Sequence, residues 1–342
     1  MDFQATFWLA GDDVSTGVAP LDPEISVVVC TRNRSAQLGE LLASLSRLRI
    51  PTGLKWEVCI VDNGSTDNTS EVVEMYQTRI PVRLVREEMA GLSNARNLGV
   101  QEARGRYICW TDDDVELDPE WLAAYASAFE TYPEAAIFGG RILPRLEAPT
   151  PPWFARLAGR WPLTSLLAAR DFGDAPLPLD FDVDRIPWGA NFAVRVKEQR
   201  ACSYDPRLGV SPAQRRLGEE AEVIFRVMQA GATGWWVPGA IVHHIIPLRR
   251  QSRQYVVEYF TSSGETLAYL EAAYPAGHHM RASAGARSVA AESEVMLQAR
   301  RSAAMIGYAA CWLARADLRG LYFLRQVAFF GGILACRRRI ET

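Results

Sequence analysis

The stretch Tyr107–Asp114, which reads YICWTDDD, decides both the fold and the chemistry expected of this chain. Its four apolar residues are typical of a buried strand, and three carboxylates follow where that strand would end. Adjacent carboxylates repel one another and lose hydration on burial, so a bound cation would stabilise them. Alternate side chains of an extended segment share a face, so Asp112 and Asp114 are expected to point together and Asp113 elsewhere. Oxygen ligands on one face suit Mg2+ or Mn2+.

A solvated acidic turn that caps the next helix is the alternative explanation for this run. The segment 118–120, Asp-Pro-Glu, already supplies a cap, a first-turn proline and a first-turn acid for the helix that continues through Trp121 and Phe129. The earlier aspartates are therefore left without a structural role, which favours the cation site.

Length and composition limit the classes of protein. The 342 residues, 49% of them hydrophobic, can bury a complete α/β core and leave enough chain for appendages. The net charge of -3 gives no sign of nucleic-acid binding, so we expect no nucleic acid among the partners. Six cysteines without a CxxC pair indicate a reducing compartment. No secretion-signal pattern and no apolar span of about 20 residues is evident, so we expect a cytoplasmic protein.

Short apolar runs alternate with helical patterns over the first half of the chain. The runs are 25–30, 56–61, 82–85 and 106–110, and leucines spaced three or four residues apart follow the first of them. This alternation predicts an α/β fold with a mostly parallel sheet flanked by helices, whose ligands bind beyond the carboxyl ends of the strands. Seven prolines between 144 and 178 then predict a long irregular segment.

Polar residues follow the predicted strands. Thr31, Asn33 and Arg34 come after the first strand. Asp62 stands at the end of the second, where a carboxylate can accept a hydrogen bond from a nucleobase ring. Arg96 follows the third and is available to bind a phosphate or a carboxylate. A parallel sheet would bring all of them to the same edge as the aspartates.

Four segments in this order make the chain resemble the family-2 glycosyltransferases of the GT-A fold. They are VVVCTRNR (27–34), VDNGSTDNT (61–69), GLSNARNLG (91–99) and YICWTDDD (107–114). The resemblance implies an inverting enzyme with a Mn2+ or Mg2+ ion and a nucleotide-diphosphate sugar donor, UDP being expected first and GDP or dTDP as alternatives. It also implies a hydroxyl acceptor, a glycan or a lipid-linked one, in polysaccharide or glycoconjugate synthesis.

The same resemblance implies roles for individual residues. Asp62 would hold the base of the donor, Asp112 would contact the ribose or the metal, and Asp114 would bind the metal. His244 occupies a position that often supplies an imidazole to the metal or the diphosphate. The other donor-binding candidates are Thr31, Asn33, Arg34, Arg96 and Asp113, although among the three aspartates Asp113 is the one that we expect to be structural.

The catalytic base is expected at the start of the segment 218–226, GEEAEVIFR. Members of the family commonly have Glu-Asp here, with the aspartate as general base, whereas this chain has Glu219 and Glu220. We expect Glu220 to be the base and keep Glu219 as the alternative, because acids also favour helix N-termini for structural reasons.

The segment 188–191, WGAN, resembles the part of the family that lines the sugar and acceptor pocket. Glycine allows close approach of the backbone, and Trp188 could stack on a sugar face or be ordinary core. The candidates for this pocket are Trp188, Gly189 and Asn191.

Three parts are expected along the chain. Residues 1–23 form an irregular lead-in, 24–248 form the GT-A domain, and 249–342 form a helical C-terminal extension. The domain comprises a donor half (24–143) and an acceptor half (144–248). For the apolar, arginine-spaced segment 303–342, packed helices or a homodimer interface are the simpler expectation. A helix lying against the inner face of an anionic membrane is the alternative.

Two other functions remain open. A nucleotidyltransferase also uses a parallel sheet and aspartate-bound Mg2+, but the chain lacks an obvious glycine-rich, lysine-containing phosphate loop near the first strand. A catalytically silent sugar-nucleotide or glycan-binding module would keep the fold without the chemistry. The joint presence of Asp62, Asp112, Asp114, Glu220 and His244 favours an enzyme.

Overall fold

The computed structural model describes residues 23–156, 164–274, 292–314 and 317–341. The expected lead-in at 1–23 therefore lies outside the described residues, apart from Pro23. Within them the strands are β1 (Ile25–Thr31), β2 (Trp56–Asp62), β3 (Val82–Arg86), β4 (Tyr107–Asp112), β5 (Val115–Leu117), β6 (Ile137–Leu146), β7 (Asn191–Arg195) and β8 (Gly234–Ile246).

The helices of the described residues flank and extend this sheet. They are α1 (Ser35–Leu45), α2 (Thr69–Glu74), α3 (Leu92–Glu102), α4 (Trp121–Thr131), α5 (Pro152–Ala155), α6 (Val196–Arg200), α7 (Glu219–Gln229), α8 (Arg253–Ala273), α9 (Glu294–Leu313) and α10 (Asp317–Glu341). Two short 3-10 helices cover Thr164–Leu167 and Leu248–Gln251.

The described strands form one sheet in the order β3-β2-β1-β4-β7-β6-β8-β5. As predicted, β1 to β4 are parallel neighbours. Beyond β4 the sheet is mixed, because β7 is antiparallel to both β4 and β6, whereas β6 and β8 are parallel and β5 is antiparallel to β8. The α/β class with flanking helices is confirmed, and the parallel part is the half that carries the aspartates.

The first strand, β1, could be predicted from the sequence because it is buried on both faces. Val27, Val28 and Val29 of β1 are all fully buried, so both faces of the strand are covered and its sequence is continuously apolar. The long strand β8 is interrupted near its middle. Gly140 pairs with Val237 and Arg141 with Ile241, so residues 238–240 bulge out of the ladder.

The C-terminal helices share a core with the preceding domain. Phe154, Leu167 and Ile246 belong to the same buried cluster as Phe260 of α8 and Ile333 of α10. The contact between α8 and α10 depends on glycine. A Cβ added at Gly264 would lie 2.0 Å from the carbonyl oxygen of Phe329, and one at Gly332 would lie 2.1 Å from that of Thr261. The boundary expected at 248 therefore separates elements that pack as one body.

Candidate active site

The strand register brings the predicted polar residues to one edge of the sheet. Thr31 lies opposite Asp62, and Cys30 lies opposite Asp112, so the ends of β1, β2 and β4 are level. The pairing of Val115 with His244 sets the histidine beside the end of the aspartate run. Residues separated by more than 100 positions in sequence thus meet at the carboxyl edge, as expected for a sheet of this kind.

Asp114 is the most heavily paired carboxylate of this edge. Its Oδ1 lies 3.1 Å from Nε2 of His244, and its Oδ2 accepts hydrogen bonds from Arg34 at 2.9 Å and Arg250 at 3.2 Å. Burial by itself would raise the pKa of this carboxyl. His244, Arg250 and Arg34 outweigh that effect and hold the pKa of Asp114 well below its usual range. Asp114 is therefore a fixed negative charge.

The side chain of Asp113 is turned away from His244 and Arg250, which are two of the partners of Asp114. Its Oδ2 accepts a hydrogen bond from the Thr31 hydroxyl at 2.7 Å, and its Oδ1 lies 2.7 Å from Nη1 of Arg34. Burial raises the pKa of Asp113 to about 7, with repulsion from Asp114 adding to it and Arg34 opposing it. In this arrangement Thr31 and Arg34 position the aspartate run from the first loop.

Asp114 and His244 have the spacing of two neighbouring ligands on a small divalent cation. Ligands at about 2.1 Å in octahedral geometry lie roughly 3.0 Å apart, which compares with the 3.1 Å between Oδ1 and Nε2. Mg2+ and Mn2+ are commonly held by one or two carboxylates together with substrate phosphates. The described residues contain no group of three or more His, Cys, Asp or Glu arranged as a complete site. The residues present thus fit a cation that a diphosphate would share.

Arg96 organises the other side of the edge. Its side chain is only 4% exposed and packs against the rings of Trp110 and Tyr204, which also contact each other, and its guanidinium points to three acids. Nη1 is 3.2 Å from Oε1 of Glu219, and Nη2 is 3.7 Å from Oδ1 of Asp112. Nη1 makes no hydrogen bond with any described group, although it is buried. The same nitrogen is nevertheless ion-paired with Glu219 and lies 4.0 Å from Oε2 of Glu220, so the guanidinium is held by the acids of the site.

The two glutamates at the start of α7 differ in environment. Glu219 is 5% exposed and is paired with Arg96. Burial, together with repulsion from Glu220, raises the pKa of Glu219 to about 7, against the effect of Arg96. Glu220 lies farther from Arg96, at 4.0 Å, and its Oε1 accepts a hydrogen bond from the backbone N–H of Gly189 at 3.3 Å. Both glutamates thus line the cavity; Glu219 is the nearer partner of Arg96, and Glu220 is held by Gly189.

Replacing Glu219 with glutamine is expected to change the pH dependence of stability. Between the ordinary carboxyl pKa of 4.5 and about 7, the folded protein keeps a proton that the unfolded chain releases. The stability of the wild type therefore falls as pH rises through this window. Glutamine stays neutral at every pH, so the variant lacks this loss of stability. The difference in Tm, variant minus wild type, should therefore increase from about pH 5 to pH 8. Differential scanning calorimetry would measure it, and a constant difference across this range would show that Glu219 does not titrate there.

Of the three candidates in the WGAN segment, Trp188 and Gly189 line the cavity and Asn191 does not. A Cβ at Gly189 would lie 2.9 Å from Nη2 of Arg96, so a side chain at this position would require the guanidinium to move. Trp188 lines the cavity, with Arg170 stacked over its ring. Asn191 does not line it, which corrects the expectation for that residue. Its amide is fully buried, accepting from Trp121 and Tyr125 and donating to two backbone carbonyls, so its hydrogen-bonding capacity is used within the core.

The loops after β1 and β2 form the remaining part of the edge. Oδ1 of Asp62 accepts from the N–H of Ser65 at 2.8 Å, which fixes the carboxylate at the strand end and leaves Oδ2 facing Arg86, 3.9 Å away. Oδ1 of Asn33 accepts from the N–H of Thr66 at 2.7 Å. Asn33 thus joins the two loops, and its side-chain oxygen is already engaged.

Two residues of the site escaped the sequence prediction. Arg250 donates to Asp114 and also lies with Nη1 3.1 Å from Nε2 of His244, so its guanidinium bridges the two metal-ligand candidates. Tyr204 packs against Arg96 and, edge to face, against the ring of Trp110. No motif in the sequence distinguished Arg250 from the many other arginines of this chain. Only its position, six residues after His244, could have indicated a role at the site.

Comparison with known proteins gives this geometry a family. Residues 26–195, about half of the chain, match the model of glycosyl transferase family 2. The validoxylamine A glucosyltransferase of Streptomyces hygroscopicus subsp. jinggangensis is 32% identical over 181 residues, which are 48% of this chain and 42% of that protein. The succinoglycan biosynthesis protein ExoM of Rhizobium meliloti is 25% identical over 244 residues, 71% of this chain and 73% of that protein.

Solved structures show the same fold. The mannosyltransferase PcManGT of Pyrobaculum calidifontis, in complex with GDP-Man and Mn2+, has a TM-score of 0.61 at 17% identity, covering 94% of this chain and 87% of that one. The architecture is that of the GT-A glycosyltransferases, and the chain belongs to glycosyl transferase family 2, as its motifs predicted. The chain spans less than half the length of several relatives, for example 17% of Escherichia coli chondroitin synthase.

Proposed function

We propose that this protein is a metal-dependent, inverting glycosyltransferase. It moves a sugar from a nucleotide-diphosphate sugar to a hydroxyl acceptor, in the synthesis of a polysaccharide or glycoconjugate. One observation carries the proposal: a single cavity is lined by Asp112 and His244, on the side of the metal-ligand candidates, and by Glu220, the candidate base. Arg96, Asp112 and His244 therefore face the same space as Glu220, whereas Asp114 and Arg34 line a second cavity.

The donor half of the reaction follows from the carboxyl edge. Asp62 accepts a hydrogen bond from the nucleobase through its Oδ2, and Asp112 accepts one from the ribose. Asp114 and His244 hold Mn2+ or Mg2+, which when bound supplies positive charge to the leaving diphosphate. Arg96 binds the sugar or its leaving oxygen with the Nη1 that makes no hydrogen bond to the described residues. UDP is the expected nucleotide, with GDP and dTDP as alternatives.

The acceptor half depends on Glu220. Its carboxylate removes the proton of the acceptor hydroxyl while that oxygen forms the new bond to the anomeric carbon. The bond from the anomeric carbon to the diphosphate breaks on the opposite face, so the configuration inverts. The hydrogen bond from Gly189 fixes the carboxylate for this role.

A thermal-shift panel tests the proposed donor directly. UDP-, GDP-, dTDP- and CDP-sugars are added to the full chain with Mn2+, with Mg2+ or with a chelator. We expect one nucleotide to raise Tm in the presence of the cation and to lose that effect with the chelator. Equal shifts with and without the cation would contradict the metal assignment, and no shift with any nucleotide would contradict the proposed donor class.

Arg250 is expected to affect metal and nucleotide binding in opposite directions. Its guanidinium contacts both Asp114 and His244, so a cation at that pair must displace it. Arg250→Ala should therefore bind Mn2+ more tightly without nucleotide. It should bind the nucleotide diphosphate about tenfold more weakly, because a displaced arginine beside the cation can pair with phosphate. Calorimetric titration would measure both affinities, with the exposed neighbour Arg249→Ala as control. This account would be contradicted if Arg250→Ala, but not Arg249→Ala, bound Mn2+ more weakly than wild type.

The outer face of α9 fits peripheral contact with an anionic membrane. Ile306, Trp312 and Leu313 are 67–76% exposed, and arginines such as Arg300 lie on the same helix. No helix within the described ranges is long and apolar enough to cross a bilayer. Trp312→Ser combined with Ile306→Ser should abolish flotation with anionic liposomes. Flotation that persists in this double variant would contradict the membrane contact. If the substitutions instead separate a dimer into monomers, the face is a dimer interface.

A further inference from the structure

The candidate active-site cavity has two chemically different parts. One part presents charged groups, including Arg96, Asp112 and Glu220. The other is a wall of apolar and aromatic side chains, which we call the apolar wall. Its members come from the proline-rich segment and from α8, and they are Leu166, Phe181, Ile186, Trp188, Tyr255 and Tyr259.

The apolar wall belongs to the packed structure. Leu166 and Ile186 are each 2% exposed, and Phe181 packs edge-on against Phe225 at 4.9 Å. A nearby hydroxyl, that of Thr266, is already engaged, because it accepts from Leu217 N–H and donates to a backbone carbonyl. The shape of this part of the cavity is therefore set by the fold of this chain.

The chemistry of the apolar wall discriminates between kinds of acceptor. Each sugar hydroxyl buried here without a partner would cost about 1–3 kcal/mol. An apolar group in the same place would gain roughly 25 cal/mol for each Å2 removed from water. The cavity has a volume of about 270 Å3, well above the roughly 10–15 Å3 of such space that one water needs, so a ligand group can enter it.

We propose that the acceptor is amphiphilic. It presents its hydroxyl to Glu220 and rests an aliphatic or aromatic portion on the apolar wall. This inference rests on the proposed glycosyl transfer and adds the chemical class of the acceptor to it. A purely polyhydroxylated glycan end is the weaker ligand of this cavity.

Glycosides that differ only in the aglycone test the proposal. Methyl, octyl and 4-nitrophenyl glycosides of glucose, galactose and N-acetylglucosamine are titrated calorimetrically into the full chain, with and without nucleotide diphosphate and Mn2+. The octyl compounds are kept below their micelle-forming concentration. For at least one sugar, we expect an octyl or nitrophenyl glycoside to bind at least tenfold more tightly than the methyl glycoside. The octyl and nitrophenyl arms distinguish an aliphatic from an aromatic portion, and equal affinities for all three would overturn the proposal.

Three variants test whether the preference for an octyl or nitrophenyl glycoside arises at the apolar wall. Phe181→Gln and, separately, Tyr259→Gln should reduce the ratio of the two affinities to less than threefold, whereas Met75→Gln, at a 61% exposed position that follows α2, should leave it unchanged. A ratio that survives both cavity variants, or that is lost with Met75→Gln, would overturn the assignment to the apolar wall. A protein that keeps the aglycone preference but binds no nucleotide would refute the proposed transfer and leave the property of the cavity standing.

Discussion

Replacing Asp114 with asparagine is expected to abolish cation-dependent nucleotide binding and to lower turnover by about a hundredfold to a thousandfold. Asp114 carries the fixed negative charge to which His244, Arg34 and Arg250 all point. Asparagine keeps the shape and removes the charge, so the cation loses its strongest ligand. Calorimetric titration of Mn2+ and nucleotide, followed by an assay of sugar transfer, would measure the effect.

Two further variants make the result for Asp114 interpretable. Loss of one partner of a buried ion pair costs about 3–5 kcal/mol, so the fold of Asp114→Asn must be checked by circular dichroism. His244→Ala removes a metal ligand without removing the carboxylate that holds the arginines, and it should weaken Mn2+ binding in the same direction. Glu116→Gln, two residues along the chain and 39% exposed, is the matched control and should behave as wild type. Normal metal dependence in both site variants would refute the assignment.

Replacing Glu220 with glutamine is expected to preserve donor binding and to lower the rate of transfer by about 10²–10⁴, the usual contribution of a general base. Glutamine can still accept the hydrogen bond from Gly189, so the geometry is retained and the ability to take a proton is lost. The nucleotide affinity should remain close to that of wild type. Single-turnover measurements with saturating donor would isolate the chemical step.

Glu219→Gln is the matched comparison for Glu220. Glu219 neutralises Arg96 and is almost completely buried, so its loss should disturb donor affinity more than the proton transfer itself. If Glu219→Gln proves inactive at saturating donor while Glu220→Gln remains active, the base is Glu219 and the present assignment is wrong.

The aspartate run was predictable because two simple rules sufficed. Apolar runs alternating with helices require a parallel sheet, and a parallel sheet gathers the residues at its strand ends. Asp62 and Asp112 lie at the same edge of the sheet for that reason. Asn191 was expected in the pocket because the WGAN segment resembles the part of the family that lines it. Whether an amide is buried depends on partners such as Trp121 and Tyr125 that only the tertiary packing supplies.

The division of roles between Glu219 and Glu220 also lay beyond the sequence. Adjacent residues of a helix point about 100° apart, and which of them faces the ligand is set by what α7 packs against. Here Arg96, which packs against Trp110 and Tyr204, pairs with Glu219 at 3.2 Å, and Glu220 accepts the hydrogen bond from Gly189. Arg250 was missed for a similar reason, because its contact forms only when the chain turns back after β8.

The stereochemistry of transfer tests the central claim most directly. The donor found by the thermal-shift panel is incubated with the full chain, Mn2+ and methanol, which yields a methyl glycoside of stable configuration. Proton NMR then reports the anomeric configuration of the first product. We predict a product of configuration opposite to that of the donor, formed with Mn2+ and lost with a chelator. A product of retained configuration, or equal turnover in the presence of the chelator, would contradict a metal-dependent inverting transferase.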